Sequence, residues 1–165
     1  MKIFTKNRVR LLVLSTDEHI LDDLATMLTG YEFYVDYLSS MKEGLRKFRA
    51  YRHSIVLVDE RMIPPTSRRL FAAFFKVQEN CLILPLIHPE NGERVGKYLE
   101  DGAYSSLNLP LNAREIHERL ERLMLFYNTN IKLNFYKVLG LNFVLILPIL
   151  LGLAWYVGGL SFGGN

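Results

Sequence analysis

The chain has 165 residues, with 20 Lys plus Arg against 17 Asp plus Glu, a formal net charge of +3 and a single cysteine, Cys81. One soluble domain with a tail fits that length, and a charge this mild, with no basic run interleaved with aromatics, gives no support to nucleic-acid binding. The lone cysteine excludes an intrachain disulfide and a thiolate metal cluster, and its apolar surroundings mark it as a core side chain.

Lys2, Lys6, Arg8 and Arg10 precede only a short strand-like run, so the apolar core of a signal peptide is missing and the soluble part is expected in the cytoplasm. Residues 9–15 (VRLLVLS) read as a buried strand. Thr16 is placed to cap a helix over 17–29, with acidic residues in its first turn. Ile20, Leu21, Leu24, Met27 and Leu28 recur at helical spacing, and Gly30 closes the helix. A second strand is expected over 33–38. Ser40 and Glu43 form a capping box for a helix running to about Tyr51. The run 54–58 (SIVLV) is the most strand-like of all and delivers Asp59 at its carboxyl end. Pro64 and Pro65 break the chain before a helix over 67–79. Residues 82–87 make a fourth strand, 89–101 a fourth helix closed by Gly102, and 104–109 a fifth strand. Asn112 then caps a fifth helix reaching about Tyr127.

The last stretch, Val138 to Asn165, holds no Lys, Arg, Asp, Glu or His. A bilayer core about 30 Å thick needs ~20 mainly apolar residues in a helix, and 138–157 supplies them. Phe135 and Tyr136 stand just before the run and Trp155 and Tyr156 near its end. The two aromatic pairs are spaced like the two interfacial belts of a membrane. Lys132 and Lys137 precede the run and no charged side chain follows it, so the amino-terminal part is expected inside and Ser161 onward outside. The expected organisation is a domain over 1–127, a juxtamembrane linker over 128–137, a transmembrane helix over 138–160 and a short tail over 161–165. Ala154 and Gly158 form a small-x-x-x-small pair suited to close helix packing. Asn142 places an amide about one turn inside the membrane, where it needs a partner.

Five strands alternating with five helices imply an α/β fold, a doubly wound parallel sheet covered on both faces, with sites gathering at the strand carboxyl ends. His19, His53, His88 and His117 are scattered over different elements without metal-ligand spacing and read as surface or rim side chains. There is no glycine-rich phosphate loop and no Gly-x-Ser-x-Gly elbow.

The order of elements over 9–127, the run SIVLVDERM ending its strand in Asp59, and the stretch Leu99-Glu-Asp-Gly-Ala-Tyr-Ser-Ser-Leu-Asn-Leu-Pro110 resemble the receiver domain of two-component response regulators. The resemblance implies that Asp59 stands where receivers accept a phosphoryl group. It also implies an acidic pair for Mg²⁺ after the first strand, where this chain has Ser15 and Thr16, and a lysine where it has Leu109. The receiver's switch hydroxyl aligns with Leu86, Ile87 or His88, which have none, and the proline after the acceptor is displaced to Pro64. Asp59 is thus expected to be an inactive phosphoacceptor position, a structural carboxylate bonded to the following loop. The expected protein is a degenerate receiver on the inner membrane. It acts without catalysis, cofactor or metal, and its partners are the lipid bilayer and the other subunits of a membrane complex. The alternative is a signalling switch phosphorylated on Asp59.

Overall fold

A computed structural model describes residues 9–31 and 33–125. The linker 128–137, the span 138–160, the tail, the aromatic pairs Phe135, Tyr136, Trp155 and Tyr156, and the packing residues Asn142, Ala154 and Gly158 lie outside the described residues. Among those described, no helix is long and apolar enough to cross a membrane. The chain divides into two compact units, Met1–Glu118 and Arg119–Asn165.

The first unit is an α/β domain. Strands β1 (Arg10–Leu14), β2 (Tyr34–Leu38), β3 (Ile55–Asp59), β4 (Leu82–Ile87) and β5 (Leu107–Asn108) form one sheet in the order β2-β1-β3-β4-β5, and every neighbouring pair is parallel. Helices α1 (Glu18–Met27), α2 (Met41–Tyr51), α3 (Ser67–Val77) and α4 (Arg94–Glu100) connect them. A further helix, α5 (113–125), follows β5.

The central strands are continuous apolar runs because both sheet faces are covered. Each residue of β3 and β4 is buried. One face of the sheet, through Leu12, Leu14, Val56, Val58 and Ile83, packs on Phe48 of α2, Phe71 and Phe74 of α3 and Tyr98 of α4. Phe48, Phe71 and Phe74 are fully buried, each worth ~1.5–3 kcal/mol of transfer free energy. Ile20 and Leu24 of α1 are buried outside that cluster.

Several local expectations shift. The cap of α1 is Asp17, whose carboxylate accepts from the His19 N–H, and Thr16 is left exposed. The carboxylate does what the hydroxyl was expected to do, and the helix starts one residue later. Ser40 caps α2 by position, but its side chain makes no capping bond, and Glu43 pairs with Arg46 at 3.7 Å instead. The fourth helix is interrupted: Pro89–Asn91 is a 3₁₀ turn, and α4 proper begins at Arg94. The fifth strand shrinks to two residues, although the Tyr104 and Leu109 N–H groups still reach the Ile83 and Ile87 carbonyls at 2.9 and 2.8 Å. Asn112 caps α5 as expected, accepting from the Arg114 N–H at 2.9 Å.

Candidate functional site

Asp59 ends β3 and is fully buried at the carboxyl edge of the sheet, opposite Leu86 of β4. The chain turns there into the 3₁₀ turn Glu60–Met62, and the Asp59 carboxylate caps it, Oδ1 accepting from the Arg61 N–H at 3.0 Å. Across the sheet, β1 delivers Ser15, whose hydroxyl donates to Asp59 Oδ2 at 2.8 Å while accepting from the Asp17 N–H at 3.0 Å. From β4 comes His88, with Nε2 at 3.3 Å from Asp59 Oδ1.

The tautomer of His88 follows from its partners. The Arg61 guanidinium lies 3.0 Å from Nδ1. A guanidinium only donates, so Nδ1 is the acceptor and Nε2 carries the hydrogen given to Asp59. Arg61 also stands 3.8 Å from Asp17. Beside it, Glu60 is buried. Its Oε1 accepts from the His88 N–H at 2.8 Å and the Asn91 amide at 2.9 Å, and its Oε2 has no partner among the described residues. A buried carboxylate is costly unless it is hydrogen-bonded, and the Arg61 N–H, the His88 Nε2–H and the Ser15 hydroxyl supply those bonds to Asp59. No group of three His, Cys, Asp or Glu side chains among the described residues is placed to hold a metal ion.

The structure thus brings together Asp59, Ser15 and His88 out of the positions singled out by sequence. Thr16 is exposed, and Leu109 ends the short fifth strand region, donating only its backbone N–H to Ile87. Glu60, Arg61 and Asn91 were not expected in the cluster. Their signal was available in principle, since each lies just beyond a central strand at the edge where sites form.

The reading of all four histidines as surface or rim groups holds for His19 and His117, which are exposed, and fails for His53 and His88, which are buried. His53 stands two residues before β3 and is buried with it. Its Nε2 donates to Asp36 Oδ2 at 2.8 Å, and Lys47 Nζ lies 2.7 Å from the other Asp36 oxygen. Phe48 stacks on the imidazole, and Nδ1 has no partner among the described residues. Burial, opposed by Asp36, holds His53 below its usual value of 6.5. Asp36 is itself held below 3.8: burial alone raises it, but hydrogen bonds and charge from Lys47 and His53 outweigh that. Cys81 is buried, and burial pushes its thiol up.

No protein-family model matches the chain, and no curated protein matches it. Solved structures do. A response regulator receiver domain protein from Clostridium thermocellum is 19% identical with a TM-score of 0.64, and the match covers 73% of this chain and 98% of that one. A CheY-like receiver domain protein from Methanospirillum hungatei is 24% identical with a TM-score of 0.62, covering 74% of this chain and 99% of that one. NtrX from Brucella abortus is 16% identical with a TM-score of 0.69, covering 77% of this chain but only 28% of that one. What these proteins share with this chain is the fold, so the described domain has the five-stranded parallel α/β architecture of response-regulator receivers.

Proposed function

We propose that the chain is a non-catalytic receiver-like docking module, held at the inner face of a membrane by its apolar carboxyl-terminal run and working as an accessory subunit of a membrane protein complex. The observation that carries this reading is the saturation of Asp59. Both of its oxygens accept hydrogen bonds from Ser15, the Arg61 N–H and His88. Ser15 presents a neutral hydroxyl on the neighbouring strand. That donor set does not fit Mg²⁺, a hard cation that takes carboxylate oxygens and waters in a near-ideal octahedron. Phosphoryl transfer depends on positive charge to stabilise the transferring group, and the one guanidinium at the site, Arg61, is engaged by His88 and Asp17. Such a carboxylate serves the fold, holding β1, β3 and β4 in register at the edge where β3 turns. The membrane part of the reading rests on sequence: no charged side chain over 138–165, aromatic pairs at both ends and lysines on one side.

The test is phosphorylation of the full chain in mild detergent with acetyl phosphate and Mg²⁺, beside Asp59→Asn. The expected result is no incorporation above the variant. Stoichiometric, Asp59-dependent incorporation would overturn this reading in favour of a phosphorylated switch.

A further inference from the structure

The formal charge of +3 conceals a strong asymmetry within the domain. Helices α2 and α3 lie side by side on one sheet face, joined by the edge-on contact of Phe48 and Phe74 at 4.8 Å. With their apolar side chains turned into the core, they expose Lys42, Arg46 and Arg49 on α2 and Arg68, Arg69 and Lys76 on α3. Glu43 is the one carboxylate these two helices carry. Its pair with Arg46, at 3.7 Å between largely exposed side chains, neutralises little. Lys42, Arg49, Arg68, Arg69 and Lys76 make no ion pair among the described residues. Helix α1 exposes Glu18, Asp22 and Asp23 and no lysine or arginine.

Resting on the membrane-tethered reading above, we propose that the basic α2–α3 face docks on the anionic phosphate headgroups of the bilayer. Clustered Lys and Arg beside a membrane are drawn to anionic lipid within about a Debye length of the surface. The ten residues of 128–137 would keep the domain within reach, since an extended chain spans at most ~3.5 Å per residue. Tethering converts a weak surface attraction into an intramolecular one. A nucleic acid fits the face less well, because single strands are held by aromatic platforms. Phe71 and Phe74 point inward, and the exposed Tyr51 ring is covered by the Arg10 guanidinium at 4.9 Å. The acidic α1 face, repelled by the same headgroups, would be left for protein partners.

The experiment uses the full chain in proteoliposomes containing a headgroup-quencher lipid, made from phosphatidylcholine alone or with about one third phosphatidylglycerol. A fluorophore is placed by Ala72→Cys on α3 or by Ala25→Cys on α1, both exposed. Cys81 is buried and stays unlabelled. Quenching at position 72 is expected to rise at least ~3-fold in the anionic bilayer and to fall back in about 0.5 M salt, while position 25 stays low in both lipids. A Lys42→Gln, Arg46→Gln, Arg49→Gln and Arg69→Gln variant, altered only on the surface, should lose the rise. Quenching at position 72 that ignores lipid charge, or equal quenching at both positions, in a chain that resists carbonate extraction overturns the headgroup proposal alone. Displacement of position 72 from the quencher by a single-stranded oligonucleotide would also overturn it and assign the face to nucleic acid. A chain that carbonate strips from the vesicles overturns the membrane reading beneath it.

Discussion

Asp59 and His53 are both fully buried, and each is defined by what its hydrogen-bonding atoms meet. Asp59 has a donor for each oxygen. His53 has one satisfied nitrogen, toward Asp36, and a buried Nδ1 with no hydrogen-bond partner among the described residues, its ring stacked on Phe48. Protonating His53 would place a charged N–H where no described residue accepts it, which agrees with a pKa depressed by burial. The sign of the linkage follows. Well above 6.5 the imidazole is neutral in both the folded and unfolded chain, so its contribution is flat. As pH falls below 6.5 the unfolded chain takes up the proton first and stability drops, until the lower folded pKa is reached. Asp36 adds a second loss once pH falls below 3.8. Urea midpoints of the chain in mild detergent are therefore expected to decline between about pH 7 and pH 5, and His53→Gln should flatten that decline. An unchanged slope in the variant would place the titrating group elsewhere.

At the scale of the element, α2 owes its position to Gly44. The glycine is buried in mid-helix, and a Cβ there would overlap the Leu14 Cδ2 methyl. Leu14 ends β1 and is itself fully buried, so the contact sets how closely α2 approaches the sheet. In an exposed helix, Gly→Ala gains about 1 kcal/mol. Here overpacking at ~1–3 kcal/mol opposes the gain, and Gly44→Ala is expected to destabilise by about 1 kcal/mol. Combining it with Leu14→Ala should cost less than the sum of the two single changes, because the cavity from one receives the methyl from the other. Urea unfolding followed by far-ultraviolet circular dichroism measures all three variants. Strict additivity would mean that the contact does not set the helix position.

At the scale of the whole molecule, the apolar run proposed to cross the membrane carries more than a plain anchor would require. Ala154 and Gly158 are four apart, a spacing that lets a second helix come close, and Asn142 and Pro148 bring polar groups that packed neighbours often satisfy. Ala154→Leu together with Gly158→Leu is expected to leave the protein resistant to carbonate extraction while lowering co-purification of its partners by about tenfold, a loss of roughly 1.4 kcal/mol of association. Co-purification at wild-type yield would leave docking to the domain alone.

The alternation of apolar runs with capped, amphipathic stretches was enough to place five strands and five helices and to put Asp59 at a strand end, because burial on both sheet faces demands continuous apolar strands. Residues 82–87 were read to the residue, and the run through Ile55–Asp59 to within one. Local chemistry with two near-equal solutions was less legible. Thr16 and Asp17 can each cap a helix, and only the Ser15 hydroxyl, fixed between the Asp17 N–H and Asp59, decides for Asp17. The pairings His88 with Asp59, Glu60 with Asn91, and His53 with Asp36 join residues 17 to 31 positions apart. A lone histidine in a sequence carries no mark of which carboxylate it will meet. Strand order brings those partners together, so the tertiary structure alone decided that two of the four histidines are buried and that the loop and strands around Asp59 satisfy its carboxylate.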